Sequence, residues 1–95
     1  MSKAYYIHIM TNPKNSVLYV GVTDDLARRV FQHKSGVGSG FTSRYNAIKL
    51  VYYEEFGSAE LAISREKQLK AGSRQDKIDL INGSNASRRD LYNDL

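Results

Sequence analysis

The segment AYYIHIMTNPKNSVLYVGV, residues 4–22, decides how the rest of this chain folds. From Ala4 to Met10 bulky side chains alternate with small or polar ones and β-branched residues are frequent, and Val17 to Val22 repeats the pattern. Side chains alternate across a strand with a period of two, so both runs read as strands. Between them, Thr11 to Ser16 carries Asn12, Pro13, Lys14 and Asn15. Such residues favour turns, through side-chain amides that bond nearby backbone and a ring that fixes φ. The segment therefore predicts a β-hairpin. The same period puts Tyr6 and His8 on one face of the first strand, and Tyr19 and Gly21 on one face of the second.

Working outward, Thr23 and Asp24 are N-cap candidates for a helix over 25–34, in which Leu26, Ala27, Val30 and Phe31 recur at helical spacing. Arg29 and His33 stand one turn apart just beside that apolar stripe, so both can reach one cleft, whereas Arg28 points to solvent. Ser35 to Tyr45 holds Gly36, Gly38 and Gly40 with hydroxyl residues and reads as a surface loop. A third strand is expected over Ile48 to Phe56. Ser58 caps a second helix through Ala71, ended by Gly72, and Ser73 with Asp76 forms a variant capping box for a third helix to Ile81. Asn82 to Ser87 reads as a polar loop and Arg88 to Leu95 as a helical turn or frayed end. The order β-β-α-β-α-α implies an α+β fold, a three-stranded, mainly antiparallel sheet flanked by helices. The domain is expected over residues 1–82, with 83–95 as a tail that can pack a short helix on it.

Ninety-five residues, 41% of them hydrophobic, supply one modest core and no second domain. No apolar run approaches the roughly 18 residues needed to cross a bilayer. Met1 to Ile9 lacks the apolar core and cleavage site of a secretory leader, so the expected compartment is the cytoplasm. With no cysteine, disulfides and thiolate zinc sites are excluded. Fourteen basic against ten acidic side chains give a net charge of +4, which suits a polyanionic partner.

In the second helix Glu66 borders the stripe of Leu61, Ala62 and Leu69. One carboxylate, one arginine, one or two histidines and several phenols suit phosphate chemistry: guanidinium for phosphoryl oxygens, carboxylate for a hard divalent cation, phenol or imidazole for proton transfer. Each also has an ordinary reading. Tyr19 alone is more often a packed strand residue, Arg29 and His33 a solvated flank, Glu66 and Lys70 an i,i+4 ion pair, and His8 a satisfied strand histidine. The glycine loop lacks the spacing and lysine of a P-loop.

Joint spacing carries more than any single residue. Tyr6-Ile7-His8, ten residues, Tyr19-Val20-Gly21, then Arg29 ten after Tyr19 and His33 four later, closely resemble the GIY-YIG nuclease pattern. The Tyr52-Tyr53-Glu54 strand, the Arg65-Glu66 pair, the turn from Leu69 to Arg74, Lys77 and Leu80-Ile81 extend the resemblance over nearly the whole chain. The pattern is similar to the short standalone bacterial branch, itself similar to the nuclease domain of the excision-repair incision subunit.

That resemblance implies a DNA endonuclease with one Mg²⁺ or Mn²⁺ held by Glu66, and a place in DNA repair or recombination. It assigns Arg29 to the scissile phosphate, Tyr19 to the attacking water and His33 to proton relay or phosphate binding. His8 stands where the first motif normally ends in tyrosine, and Tyr6 stands in place of glycine; His8 is taken as a further catalytic candidate. Tyr6, Lys34, Arg44, Lys70, Arg74 and Asn85 are candidate nucleic-acid contacts, although the closing segment has Ala86 and Arg88 where relatives often have proline and tryptophan. DNA is expected as the partner rather than RNA, no membrane, and a protein partner can supply targeting. The alternative is a catalytically weakened nucleic-acid-binding module of the same fold; a structural adaptor is a third reading.

Overall fold

The computed structural model describes residues 3–36 and 40–95; residues 1–2 of the expected domain and 37–39 of the expected loop lie outside them. Strands β1 (Tyr5–Thr11) and β2 (Leu18–Thr23) form the expected hairpin. Asn12 closes its turn: the side-chain oxygen accepts from the backbone N–H of Ser16 at 2.7 Å and of Val17 at 3.1 Å. Asn15 sits at φ +57°, a left-handed conformation that asparagine tolerates. Strand β3 (Lys49–Phe56) pairs on the other side of β1, giving the order β2-β1-β3 with both pairings antiparallel. An irregularity at Ile9/Met10 shifts the β1–β3 register by one residue.

Because β1 is central, its two faces feed two cores. Ile7 and Ile9 meet Val20, Val51, Leu69 and Ile81 beneath helices α3 (Ala59–Ala71) and α4 (Arg74–Asn85). Met10 meets Leu26, Val30, Ala47 and Leu50 on the face covered by α1 (Leu26–Lys34). A strand covered on both faces loses the alternation of inside and outside, and β1 is buried continuously from Ile7 to Thr11. The sheet, the helices and their order are those expected, with one short helix added.

That addition is α2 (Gly40–Tyr45), inside the stretch expected as a loop; Thr42 is buried there and holds the segment against α1. The cap of α1 also moves by one residue: Asp25, rather than Thr23 or Asp24, accepts from the N–H of Arg28 at 3.2 Å. The Ser73/Asp76 capping box forms in both directions, at 3.1 and 3.0 Å. Helix α4 then continues past Ile81 to Asn85, so the boundary expected at residue 82 falls inside a helix.

Asn85 explains the extra turn. Its buried amide donates to the Val51 carbonyl at 3.1 Å and the Arg89 carbonyl at 2.8 Å, while its oxygen accepts from the Arg89 N–H at 3.1 Å. The tail is thereby bound to β3. It ends in a 3-10 turn (Leu91–Asp94), whose Leu91 and Tyr92 pack against the Met10 core. Asp90 anchors this turn, accepting from the N–H of Leu50 and of Tyr92 and pairing with Lys34. Among the described residues no helix is long and apolar enough to cross a membrane.

Asn85→Ala leaves the buried Val51 carbonyl and the part-buried Arg89 backbone groups without their Asn85 partner, at a cost of about 1–3 kcal/mol. Urea denaturation is expected to show that loss, with the far-ultraviolet signature of the native state retained.

Candidate active site

The hairpin register sets His8 opposite Gly21 and Met10 opposite Tyr19. A Cβ placed on Gly21 would lie 2.8 Å from both Cε1 and Nε2 of His8 and 3.1 Å from the Tyr19 ring. The imidazole therefore lies over bare backbone, and glycine is required there for lack of bulk rather than for an unusual φ. His33 reaches the same place from α1. It is buried with Leu26 and Val30 on the inward stripe, not beside that stripe as its helical angle suggested. Ring centroids lie 6.2 Å apart for His8 and Tyr19, 5.7 Å for His8 and His33, and 5.4 Å for Tyr19 and His33.

Charge separates this cluster from an ordinary aromatic core. His33 Nδ1 lies 2.8 Å from Thr42 Oγ1, while His33 Nε2 and both ring nitrogens of His8 are buried without hydrogen-bond partners among the described residues. Burial, the neighbouring His33, and the cations Arg29 and Lys70 push the His8 pKa down to about 3. Burial and Arg29 push His33 down to about 4. Both rings are neutral at pH 7, each offering one nitrogen lone pair. Arg29 itself is half-buried and donates to Gln32 Oε1 at 3.1 Å.

Glu66 is placed differently. It lies on α3, where Ala62 and Leu69 are buried but Leu61 is 60% exposed, so the buried stripe is narrower than expected. Its recorded ion pair is with Lys70, loose at 3.5 Å. No described contact joins Glu66 to the rings; Lys70, one turn further along α3, makes the smallest of the contributions that lower the His8 pKa. Next to Glu66, Arg65 clamps α3 to β3 through Nε and Nη2 to the two oxygens of Glu54, at 3.0 and 3.1 Å. That fork fixes the rotation of α3 and so the direction in which Glu66 projects.

Several expected nucleic-acid contacts are engaged within the fold. Tyr6 donates to Glu55 at 2.9 Å, Lys34 pairs with Asp90, Arg74 donates to the Ser16 carbonyl at 2.9 Å, and Asn85 is the buried tail anchor. Arg44 lies 5.6 Å from the Tyr45 ring centroid on exposed α2, and Lys70 is exposed beside Glu66. Sequence reasoning passed over Thr42, Phe41 and Tyr45. Only the four-residue spacing of Phe41 and Tyr45 offered a signal, and the glycines around it spoke for a loop.

Residues 4–79 match the model of the GIY-YIG catalytic domain, and the chain belongs to the GIY-YIG family, whose domain is of nuclease type. Within that family it is similar to short standalone proteins called UPF0213. One from Staphylococcus saprophyticus is 36% identical over 77 residues, 81% of this chain and 93% of the relative. One from Haloquadratum walsbyi is 35% identical over 80 residues, 84% of this chain and 89% of the relative. The solution NMR structure of a UPF0213 protein from Bacillus halodurans superposes with a TM-score of 0.55 at 31% identity, covering 90% of this chain and 92% of that one.

Two outcomes follow from the cluster. Gly21→Ala must displace the His8 ring or the backbone beneath it, at a cost of about 1–3 kcal/mol, measurable by chemical denaturation. The lowered imidazole pKa values set a pH dependence: the unfolded chain takes up protons below pH 6.5, the folded one not until about 4 and 3. Stability is then full above about pH 6.5 and falls as pH drops toward 4. Melting temperatures across that range should show the fall, and His8→Phe should flatten it.

Proposed function

We propose that this protein is a metal-dependent endonuclease that hydrolyses phosphodiester bonds in DNA, working in the cytoplasm in repair or recombination. The observation that carries the reading is the meeting of Tyr19, His8 and His33 over Gly21 with the guanidinium charge of Arg29 beside them. Two neutral imidazoles and a phenol next to a fixed cation form a site for an anion that must exchange a proton.

Arg29 would hold the non-bridging oxygens of the scissile phosphate and offset charge developing on them. Tyr19 would orient the attacking water, with a neighbouring imidazole as its partner in moving the proton. In the tautomer in which Nδ1 donates to Thr42 Oγ1, the lone pair of His33 is on Nε2, and His8 carries one on one of its two nitrogens. A phosphate at Arg29 would oppose the lowering of both imidazole pKa values by its negative charge.

For the metal, Glu66 is the residue that would hold it. Among the described residues no three His, Cys, Asp or Glu side chains gather around a cation, and the Glu66 carboxylate is held only loosely by Lys70. A single carboxylate suits Mg²⁺ or Mn²⁺, which keeps waters and completes its shell with substrate phosphate oxygens. When bound, such an ion supplies Lewis-acid polarisation of the phosphoryl group.

The second reading, a nucleic-acid-binding module with a weakened site, is favoured by one observation: His8, at the first-motif tyrosine position, is fully buried and neither of its nitrogens is bonded among the described residues. Nicking of supercoiled plasmid in Mg²⁺ separates the two. The nuclease reading expects nicking by the wild type and a loss of about a hundredfold or more in Arg29→Ala and Glu66→Ala. Salt-sensitive binding without nicking by the pure wild type would establish the module instead.

A further inference from the structure

We propose that Phe41 and Tyr45 form a stacking platform for an unpaired nucleobase at the mouth of the ring cluster, making single-stranded or locally unpaired nucleic acid the ligand of this face. The proposal rests on the nucleic-acid reading above and names its substrate class.

The rings run from the interior to the surface in one series. His8 and His33 are buried, Tyr19 is half-buried, and Phe41 and Tyr45 are 39% and 43% exposed. Phe41 stacks on Tyr19 with centroids 5.7 Å apart and planes 27° from parallel, and Tyr45 follows at 4.7 Å from Phe41. Helix α2 is held from below: Thr42 bonds His33, and its carbonyl accepts from the Ala47 N–H at 3.0 Å. Residues four apart share a helix face, so this anchor keeps the Phe41 and Tyr45 rings together on the outside.

A lid for Tyr19 would need only Phe41. Tyr45 makes no described ring contact with the inner cluster, yet it is exposed and carries the Arg44 guanidinium 5.6 Å from its ring centroid. Exposed aromatics with a cation alongside match what single strands offer: a free π-face on each base and a phosphate between bases. A paired base inside a duplex has both faces taken by its neighbours, so the platform discriminates against double strands without reading sequence. DNA and RNA share this chemistry.

The chain has no tryptophan, so Tyr45→Trp introduces a single fluorescent reporter at the platform. Titrated without divalent metal, its emission should be quenched saturably by oligothymidylate or oligouridylate, at least about tenfold more tightly than by a duplex of equal charge. The tighter of the two single strands identifies the source. Tyr45→Leu, which keeps an apolar side chain but removes the ring, should weaken single-strand binding roughly tenfold, measured by polarisation of a labelled strand. No quenching by either strand, equal quenching by duplex, or wild-type affinity in Tyr45→Leu would overturn the proposal. Since nothing is cleaved in these measurements, quenching in a protein that cleaves neither plasmid nor a single-stranded oligonucleotide in Mg²⁺ overturns the nuclease reading alone; cleavage without quenching overturns the platform alone.

Discussion

The His8 imidazole lying on the bare backbone of Gly21 is the contact on which the candidate site depends. One missing Cβ on β2 makes room for a ring on β1, and that ring fixes where His33 and Tyr19 can sit. Among the described residues neither nitrogen of the buried His8 ring has a hydrogen-bond partner and the buried His33 ring has one only at Nδ1, so charging either ring is costly and the arrangement favours the neutral form of both. The site that results is made of lone pairs and π-faces, with its positive charge supplied from the rim by Arg29.

The sheet divides the work between its faces. Tyr19, His8 and His33 gather on the α1 face, while Glu66 belongs to α3, whose Leu69 packs into the core on the other face. Strand β1, shared by both cores, and the Arg65–Glu54 fork between α3 and β3 are what hold the two halves in a fixed relation. Glu66 and Arg29 are therefore positioned by separate elements, α3 and α1.

Local patterns made much of this legible. The alternation over residues 4–22 gave the hairpin, Ser58 and the Ser73/Asp76 pair marked two helix starts, and Gly72 marked an end. What escaped was settled by contacts between distant residues. Helix α2 forms in a glycine-rich stretch because Thr42 finds His33, and α4 outlasts its apolar pattern because Asn85 finds Val51. The family resemblance pointed to Tyr19, Arg29, His33 and Glu66, but it could not show that His33 lies on the buried stripe or that the His8 ring needs the space above Gly21.

The chain contains only two histidines, which makes the neutral imidazole pair directly measurable. In a proton NMR titration of the ring Cε1–H resonances, both should stay at their neutral shifts through pH 6.5 and begin to move only as pH approaches about 4. A histidine that titrates near 6.5 in the folded protein would contradict the account, because its ring would then be solvated and not packed in the cluster over Gly21.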